Sequence, residues 1–205
     1  NLKAGSVNLS LSAQSGDLGL APNTQLNAGQ NIEAAALQGN IVSDGLNATA
    51  ANGHLSIMAA GSVVLLNRST ATAKLSGKTG VAIGSVGKGR LKTDNTDITA
   101  AEGDIRLVSG ADMIIGNGKQ QNTLLARHIQ AQSSNGALSI SQAKISATRG
   151  AIQLEAKQDL TLNQVATTSS QNTTIAADAG KVHLNQVNAS AGQHMAISSR
   201  NNQIL

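Results

Sequence analysis

The chain has 205 residues and a net charge of +4, with no cysteine, no aromatic residue among Phe, Tyr and Trp, and a single proline. The absence of cysteine excludes disulfides and thiolate metal sites. Aromatic side chains bury the most area in an ordinary globular core, so this composition favours a narrow interior filled by Leu, Ile, Val and Ala in thin layers. No apolar run is long enough to cross a bilayer, and the amino terminus lacks the features of a signal peptide.

A short motif recurs along the chain: a glycine, one variable residue, and then two apolar residues separated by one more. Apolar residues two apart point to the same face of a β-strand, and the glycine marks a turn just before it. In chain order, the motif begins at Gly16, Gly53, Gly61, Gly103, Gly136, Gly150 and Gly180. A repeat with a period in the low twenties of residues predicts a solenoid rather than a fold with one central site.

The first half of the chain repeats loosely. The Ala-rich segment 32–38 is the best helix candidate, but its shortness favours a strand and a bend. The segment 84–97, rich in Gly and Lys, departs from the repeat and predicts a protrusion. Gly103 and Gly136 lie about half a repeat too far apart, and we place the excess in a second protrusion within 113–127.

The last third of the chain gives the clearest register, with blocks that begin at Gly136, Gln158 and Gly180, each 22 residues after the one before. Equivalent residues in these blocks should stack as neighbours in parallel strands, with Leu160 and Leu162 in the interior. One polar column is expected to form a ladder of side-chain amides. The columns are Leu138, Leu160 and Val182; Ile140, Leu162 and Leu184; Gln142, Gln164 and Gln186; and Ala143, Val165 and Val187.

These patterns predict an all-β chain that forms a right-handed parallel β-helix, or β-solenoid, of roughly nine coils with about 22 residues per coil. At about 4.8 Å between stacked strands, the rod would be about 40–50 Å long. Residues 1–205 should form a single β-helical segment. Because the chain starts and stops inside the pattern, we expect it to be a fragment of a larger protein.

Three stretches resemble filamentous haemagglutinin repeats, namely 53–63, 103–107 and 150–162. The family includes filamentous haemagglutinin adhesins and contact-dependent growth inhibition toxins of the CdiA type. The repeats do not distinguish one kind of member from the other. The resemblance implies a large exoprotein exported by an outer-membrane two-partner secretion transporter. It also implies a secreted location at the surface of a Gram-negative bacterium and a filament that carries binding or toxin domains.

No catalytic, cofactor-binding or metal-binding residue is expected. Cleavage of a polysaccharide needs two carboxylates across a sugar-binding cleft. Asp94 and Asp97 are the pair to weigh for that role, but the chain offers no aromatic platform for sugar rings, which favours their interpretation as turn residues. Four histidines lie far apart in the sequence and are interpreted as surface residues rather than metal ligands: His54, His128, His183 and His194.

The best candidate for a surface interaction is a basic interval, since no Asp or Glu lies between Asp44 and Asp94. Its cations suit lipopolysaccharide, an acidic polysaccharide or a receptor on a target cell. Nucleic acid is disfavoured because no aromatic stacking residue accompanies the charges. A solvated face that keeps the rod soluble is the plainer alternative. The basic residues are Arg68, Lys74, Lys78, Lys88, Arg90 and Lys92.

The sequence thus favours a structural stalk, not an enzyme, within a secreted adhesin or growth-inhibition toxin. The alternative is a receptor- or glycan-binding segment of the same exoprotein, with 84–97 or 113–127 as the recognition element. A polysaccharide-cleaving β-helix enzyme ranks last.

Overall fold

The computed structural model describes residues 1–69, 72–116, 119–200 and 204–205. Within these ranges the regular structure consists of 24 β-strands and no helix. The strands, in chain order, are β1 (Leu2–Ala4), β2 (Leu9–Ala13), β3 (Leu18–Leu20), β4 (Gln25–Ala28), β5 (Ile32–Ala36), β6 (Ile41–Asp44), β7 (Asn47–Ala50), β8 (His54–Ala59), β9 (Val63–Leu66), β10 (Ala73–Gly77), β11 (Gly80–Ser85), β12 (Leu91–Thr93), β13 (Thr96–Ala100), β14 (Asp104–Ser109), β15 (Met113–Ile115), β16 (Asn122–Ala126), β17 (Ile129–Ser133), β18 (Leu138–Ala147), β19 (Ile152–Ala156), β20 (Leu160–Ser169), β21 (Thr173–Ala177), β22 (Val182–Asn185), β23 (Asn188–Ala191) and β24 (Met195–Ser199).

The strands follow one another around three faces. Face 1 is a nine-stranded sheet of β2, β5, β8, β11, β14, β17, β19, β21 and β24. Face 2 contains β3, β6, β9, β12, β15, the first halves of β18 and β20, and β22. Face 3 contains β1, β4, β7, β10, β13, β16, the second halves of β18 and β20, and β23.

Each strand pairs in parallel with the equivalent strand one coil away. On face 1, Leu9 pairs with Ile32 and Ile32 with Leu55, so one coil takes 23 residues there. The nine strands of this face correspond to about eight turns of the chain. The predicted parallel β-solenoid is therefore confirmed. Segment 32–38 forms β5 and a bend, as its shortness indicated.

The interior is a column of aliphatic side chains. Strands such as β5 and β19 alternate buried and accessible residues, because successive side chains point to opposite sides of a strand. Leu160 and Leu162 are completely buried, as predicted. Full burial of one such side chain contributes about 1.5–3 kcal/mol, so repeated thin layers can replace the aromatic residues of an ordinary core.

The corner between faces 2 and 3, here called the left-handed corner, is turned by residues with positive φ. In the last three coils these residues are Gln142, Gln164 and Gln186, with φ of 47°, 55° and 52°. The Gln142 Nε2 donates to Gln164 Oε1 at 3.1 Å, and the Gln164 Nε2 donates to Gln186 Oε1 at 2.9 Å. The predicted amide ladder is therefore present, and it offsets part of the cost of a left-handed backbone.

The other two corners are linked by side chains that accept hydrogen bonds from the backbone of the next coil. Between faces 1 and 2, Asp17 Oδ1 accepts from the amide of Asn40 at 2.8 Å. Between faces 3 and 1, Asn31 Oδ1 accepts from the amide of His54 at 3.0 Å, and His128 Nδ1 accepts from Ala151 at 3.1 Å. Polar side chains at the turns thus connect neighbouring coils.

Candidate functional site

The first departure from a regular coil lies at the left-handed corner between β9 and β10. Ser43 pairs with Leu65, an offset of 22 residues, whereas Ala48 pairs with Leu75, an offset of 27. Five additional residues therefore lie between Leu65 and Leu75. We call 67–72 the first corner insertion; its residues 70 and 71 lie outside the described part of the chain.

A second insertion occupies the same corner two coils further on. Thr93 pairs with Ile115, an offset of 22 residues, whereas Ile98 pairs with Leu124, an offset of 26. We call 116–121 the second corner insertion; residues 117 and 118 lie outside the described part. It falls within the predicted protrusion 113–127, of which the rest forms β15, β16 and the residue that follows β16.

Half of the predicted protrusion 84–97 is regular structure. It includes the end of β11, all of β12 and the start of β13. Ala59 pairs with Ser85, an offset of 26 residues, and Val63 pairs with Leu91, an offset of 28. Only two additional residues therefore separate β11 from β12.

Buried asparagines hold the two corner insertions against the coil that lies between them. Asn67, Asn95 and Asn122 are 4%, 2% and 0% exposed. Asn67 Nδ2 donates to the carbonyl of Asn95 at 3.1 Å, and Asn95 Nδ2 donates to the carbonyl of Ser69 at 2.8 Å. Asn122 Oδ1 accepts from the amide of Thr96 at 3.1 Å. Asparagine suits this role because it combines a donor, an acceptor and tolerance of positive φ, which is 47° at Asn95.

A cleft of about 330 Å³ opens between the two insertions. Every side chain that lines it is polar, and one is a carboxylate. The lining residues are Thr72, Asn95, Asp97, Gln120, Gln121 and Thr123. In the described ranges, Asp97, Gln121 and Thr123 make no side-chain hydrogen bond to another group, so these three side chains can serve a ligand.

The two carboxylates weighed for catalysis have different environments. Asp94 is only 9% exposed, whereas Asp97 points outward from β13 and lines the cleft. Of the two carboxylates, Asp97 lines the cleft and Asp94 does not. A glycosidase mechanism with two flanking carboxylates has no support in this arrangement.

The six basic residues do not converge on one surface. Lys74 lies on face 3 and Lys92 on face 2, while Lys88 occupies the corner between faces 1 and 2. The other three cations lie at corners and are paired with carboxylates from adjacent coils: Arg68 with Asp44 at 3.8 Å, Lys78 with Glu102 at 3.7 Å, and Arg90 with Asp112 at 3.5 Å. Exposed pairs of this kind contribute about 0–1 kcal/mol and reduce the positive charge available to a partner.

The histidines are distributed along the rod. His54 Nε2 lies 3.5 Å from Glu33 Oε1, His183 lies on β22, and His194 is exposed. His128 serves as an acceptor in a corner. Among the residues that the structure describes, no three His, Asp or Glu side chains come together as a metal site.

A second surface depression, of about 520 Å³, lies at the corner after β19 and β21 and contains a small ionic cluster. Lys157 donates to Asp178 Oδ2, and Arg200 Nη1 lies 2.8 Å from Asp178 Oδ1. The hydrogen bond from Lys157, together with the charges of Arg200 and Lys157, lowers the pKa of Asp178 against the opposing effect of burial. Lys157, Asp178 and Arg200 follow three successive strands of face 1. Because both cations are paired with the carboxylate of Asp178, the cluster serves to connect these coils.

Comparison with known proteins gives no relative for this chain. No protein-family model matches it. No curated protein matches it, and no solved structure does. Across the described ranges, none of the secondary structure is a helix of the length and apolarity that a membrane span requires.

Proposed function

We propose that this chain is a stalk segment of a large exoprotein of the filamentous haemagglutinin type. The parent protein is an adhesin or a contact-dependent growth inhibition toxin, secreted to the surface of a Gram-negative bacterium by an outer-membrane two-partner secretion transporter. The segment holds binding or toxin domains away from the cell, where they meet a receptor or lipopolysaccharide on a target cell. Its role is mechanical, without catalysis, cofactor or nucleic-acid partner.

The observation that carries this proposal is the stack of parallel coils along the described residues. Nine strands of face 1 stack in parallel, and the same backbone ladder continues on the other two faces. At about 4.8 Å per coil, eight spacings make a rod about 40 Å long. Since these hydrogen bonds run along the rod axis, the number of coils sets the reach of the segment. The repeats at 53–63, 103–107 and 150–162 supply the resemblance to the family.

The length of the rod can be tested by duplicating one coil. Residues 160–181 form one register-matched coil, because Leu160 pairs with both Leu138 and Val182. A second copy inserted after Lys181 should lengthen the rod by about 4.8 Å in small-angle X-ray scattering and leave the melting temperature unchanged or higher. Duplication of 160–170 alone is the control, since it adds half a coil, displaces every later strand from its matching face and should lower the melting temperature.

The absence of recognition can be tested on cells. Fluorescently labelled protein is mixed with Gram-negative cells at low and high salt, and bound protein is measured by flow cytometry. A stalk should show no saturable binding when circular dichroism confirms that it is folded. Saturable binding would instead favour the second candidate function, receptor or glycan recognition, which the cleft between the corner insertions supports.

A further inference from the structure

We propose that the cleft between the two corner insertions binds a short segment of neutral glycan. This inference develops the second candidate function and does not depend on the stalk proposal, because a rod can carry a binding site on one corner. It rests on three observations: where the insertions lie, how they are held, and which side chains they present.

The position of the insertions indicates that they have a role other than the stacking of coils. In a regular coil, one left-handed residue is enough to turn this corner, as at Gln142, Gln164 and Gln186. Five residues are added in one coil and four in another, with the coil of Asn95 between them. These additions leave Thr72 on one side of that coil and Gln120 and Gln121 on the other, as the walls of a cleft whose floor carries Asn95 and Asp97.

The walls are held in place before any ligand arrives. Asn67 Nδ2 donates to the carbonyl of Asn95 at 3.1 Å, and Asn95 Nδ2 donates to the carbonyl of Ser69 in the first insertion at 2.8 Å. Asn122 Nδ2 donates to the carbonyl of Gln120 at 3.2 Å, which fixes the base of the second insertion. A preorganised site loses less conformational entropy on binding, which matters for weak ligands such as sugars.

The chemistry of the lining favours a ligand rich in hydroxyl groups. Gln120 and Gln121 carry side-chain amides that both donate and accept, Thr72 and Thr123 carry hydroxyls, and Asp97 only accepts. An amide or a carboxylate can engage two neighbouring hydroxyls of a sugar ring at once. The volume of about 330 Å³ lies at the low end of small-molecule sites, about 300–1,000 Å³, which fits a short glycan segment.

Other ligand classes fit less well. The carboxylate of Asp97 repels an anion such as a sulfated glycan or a phosphate, and the neighbouring cation in register with it, Lys74, does not line the cleft. An apolar ligand would strip water from polar side chains without replacing their hydrogen bonds. A nucleobase depends on stacking and would find no aromatic ring. A short neutral glycan lacks an aromatic platform here as well, but its hydroxyl groups can be held by hydrogen bonds to the amides, hydroxyls and carboxylate of the lining.

The inference can be tested by saturation-transfer-difference NMR on the whole chain. The probes are neutral trisaccharides of glucose, galactose, mannose and N-acetylglucosamine, with a sulfated heparin disaccharide as the anionic probe. We expect saturation transfer to at least one neutral trisaccharide. Asp97→Ala or Gln121→Ala should weaken its binding about tenfold, the effect of losing one strong hydrogen bond.

Matched controls come from face 1. Asp104→Ala and Gln153→Ala remove an exposed carboxylate and an exposed amide that lie on another face and do not line the cleft, and should leave binding unchanged. Both cleft substitutions alter outward-facing side chains, and circular dichroism melts verify that the variants fold.

Three results would overturn the inference: no transfer to any neutral sugar, equal transfer in the cleft variants and the wild type, or transfer only to the heparin disaccharide. None of them bears on the length of the rod, so the stalk proposal stands or falls separately.

Discussion

The left-handed corner is built in two ways along the same rod. In the last three coils, a glutamine turns the corner, and the amide of Gln164 bonds to Gln142 on one side and to Gln186 on the other. In the middle coils, Asn95 makes the same turn, but its amide bonds to a corner insertion. The same backbone geometry thus closes the surface in one region and opens it into a cleft in the other. What differs is whether the side chain at the turn links coil to coil or coil to loop.

The largest expected effect is that of a charge placed in the interior of the regular region. Leu162 is fully buried between Ile140 and Leu184. Leu162→Asp places a carboxylate in an aliphatic column, so we expect a loss of about 4 kcal/mol or more in the free energy of unfolding. Thr161→Asp, one residue away on the outer side, should change it by about 0.5 kcal/mol or less. Urea melts of both variants measure the difference, and equal losses would contradict the assigned orientation of β20.

A smaller effect is expected in the region with the insertions. Asn122→Leu leaves the amide of Thr96 without its acceptor in a fully buried position. The free energy of unfolding should fall by about 1–3 kcal/mol, and limited proteolysis should cut the second corner insertion faster. Gln121→Leu, at the exposed neighbouring position, is the control. Unchanged proteolysis in Asn122→Leu would mean that this side chain does not hold the wall of the cleft.

The glutamine ladder should respond differently to alanine and to glycine. Gln164→Ala keeps a β-carbon at a φ of 55° and loses both amide bonds, so we expect a loss of about 1–2 kcal/mol. Gln164→Gly also loses the bonds but removes the left-handed penalty of about 1–2 kcal/mol, and its net change should be near zero. Thermal melts rank the two variants. If alanine were the milder change, the turn would not be strained at this position.

The smallest expected effect is the pH dependence from Asp178. Because its pKa is lowered in the folded state, the ionised carboxylate contributes stability above its unfolded pKa, and this contribution disappears as pH falls through the folded pKa. Asp178→Asn should therefore be less stable than the wild type at neutral pH, and the two should converge in acid. Urea midpoints at several pH values measure this. A constant difference down to the lowest pH would show that ionisation is not its cause.

The register of the last third was predictable because identical spacing forces identical pairing. Leu138, Leu160 and Val182 stack as their column indicated, and the glutamine column forms the ladder. The three-faced cross-section was not predictable from the motif, since one apolar alternation describes a strand on any face. The recurring motifs are enough to predict strands. Only the strand pairing shows which corner each glycine marks.

The long gap between Gly103 and Gly136 shows this limit. Gly103 precedes β14 on face 1, whereas Gly136 precedes β18, which begins on face 2. Their separation therefore spans one coil plus one face, and most of the apparent excess is not an insertion. The first corner insertion is not predictable from the motif for a related reason: 67–72 contains no glycine, and its five additional residues follow only from the offset between paired strands.

The stacking of each coil on its two neighbours has a consequence for how the molecule loses structure. When each coil contacts only its neighbours, a coil at either end of this segment has one neighbour instead of two. Unfolding therefore starts at the end coils and moves inward. Amide hydrogen exchange should then be fastest near β2 and β24 and slowest near β11 and β14. Asn95 lies between these two central strands, so when this segment is studied by itself the cleft belongs to the part that is the last to open.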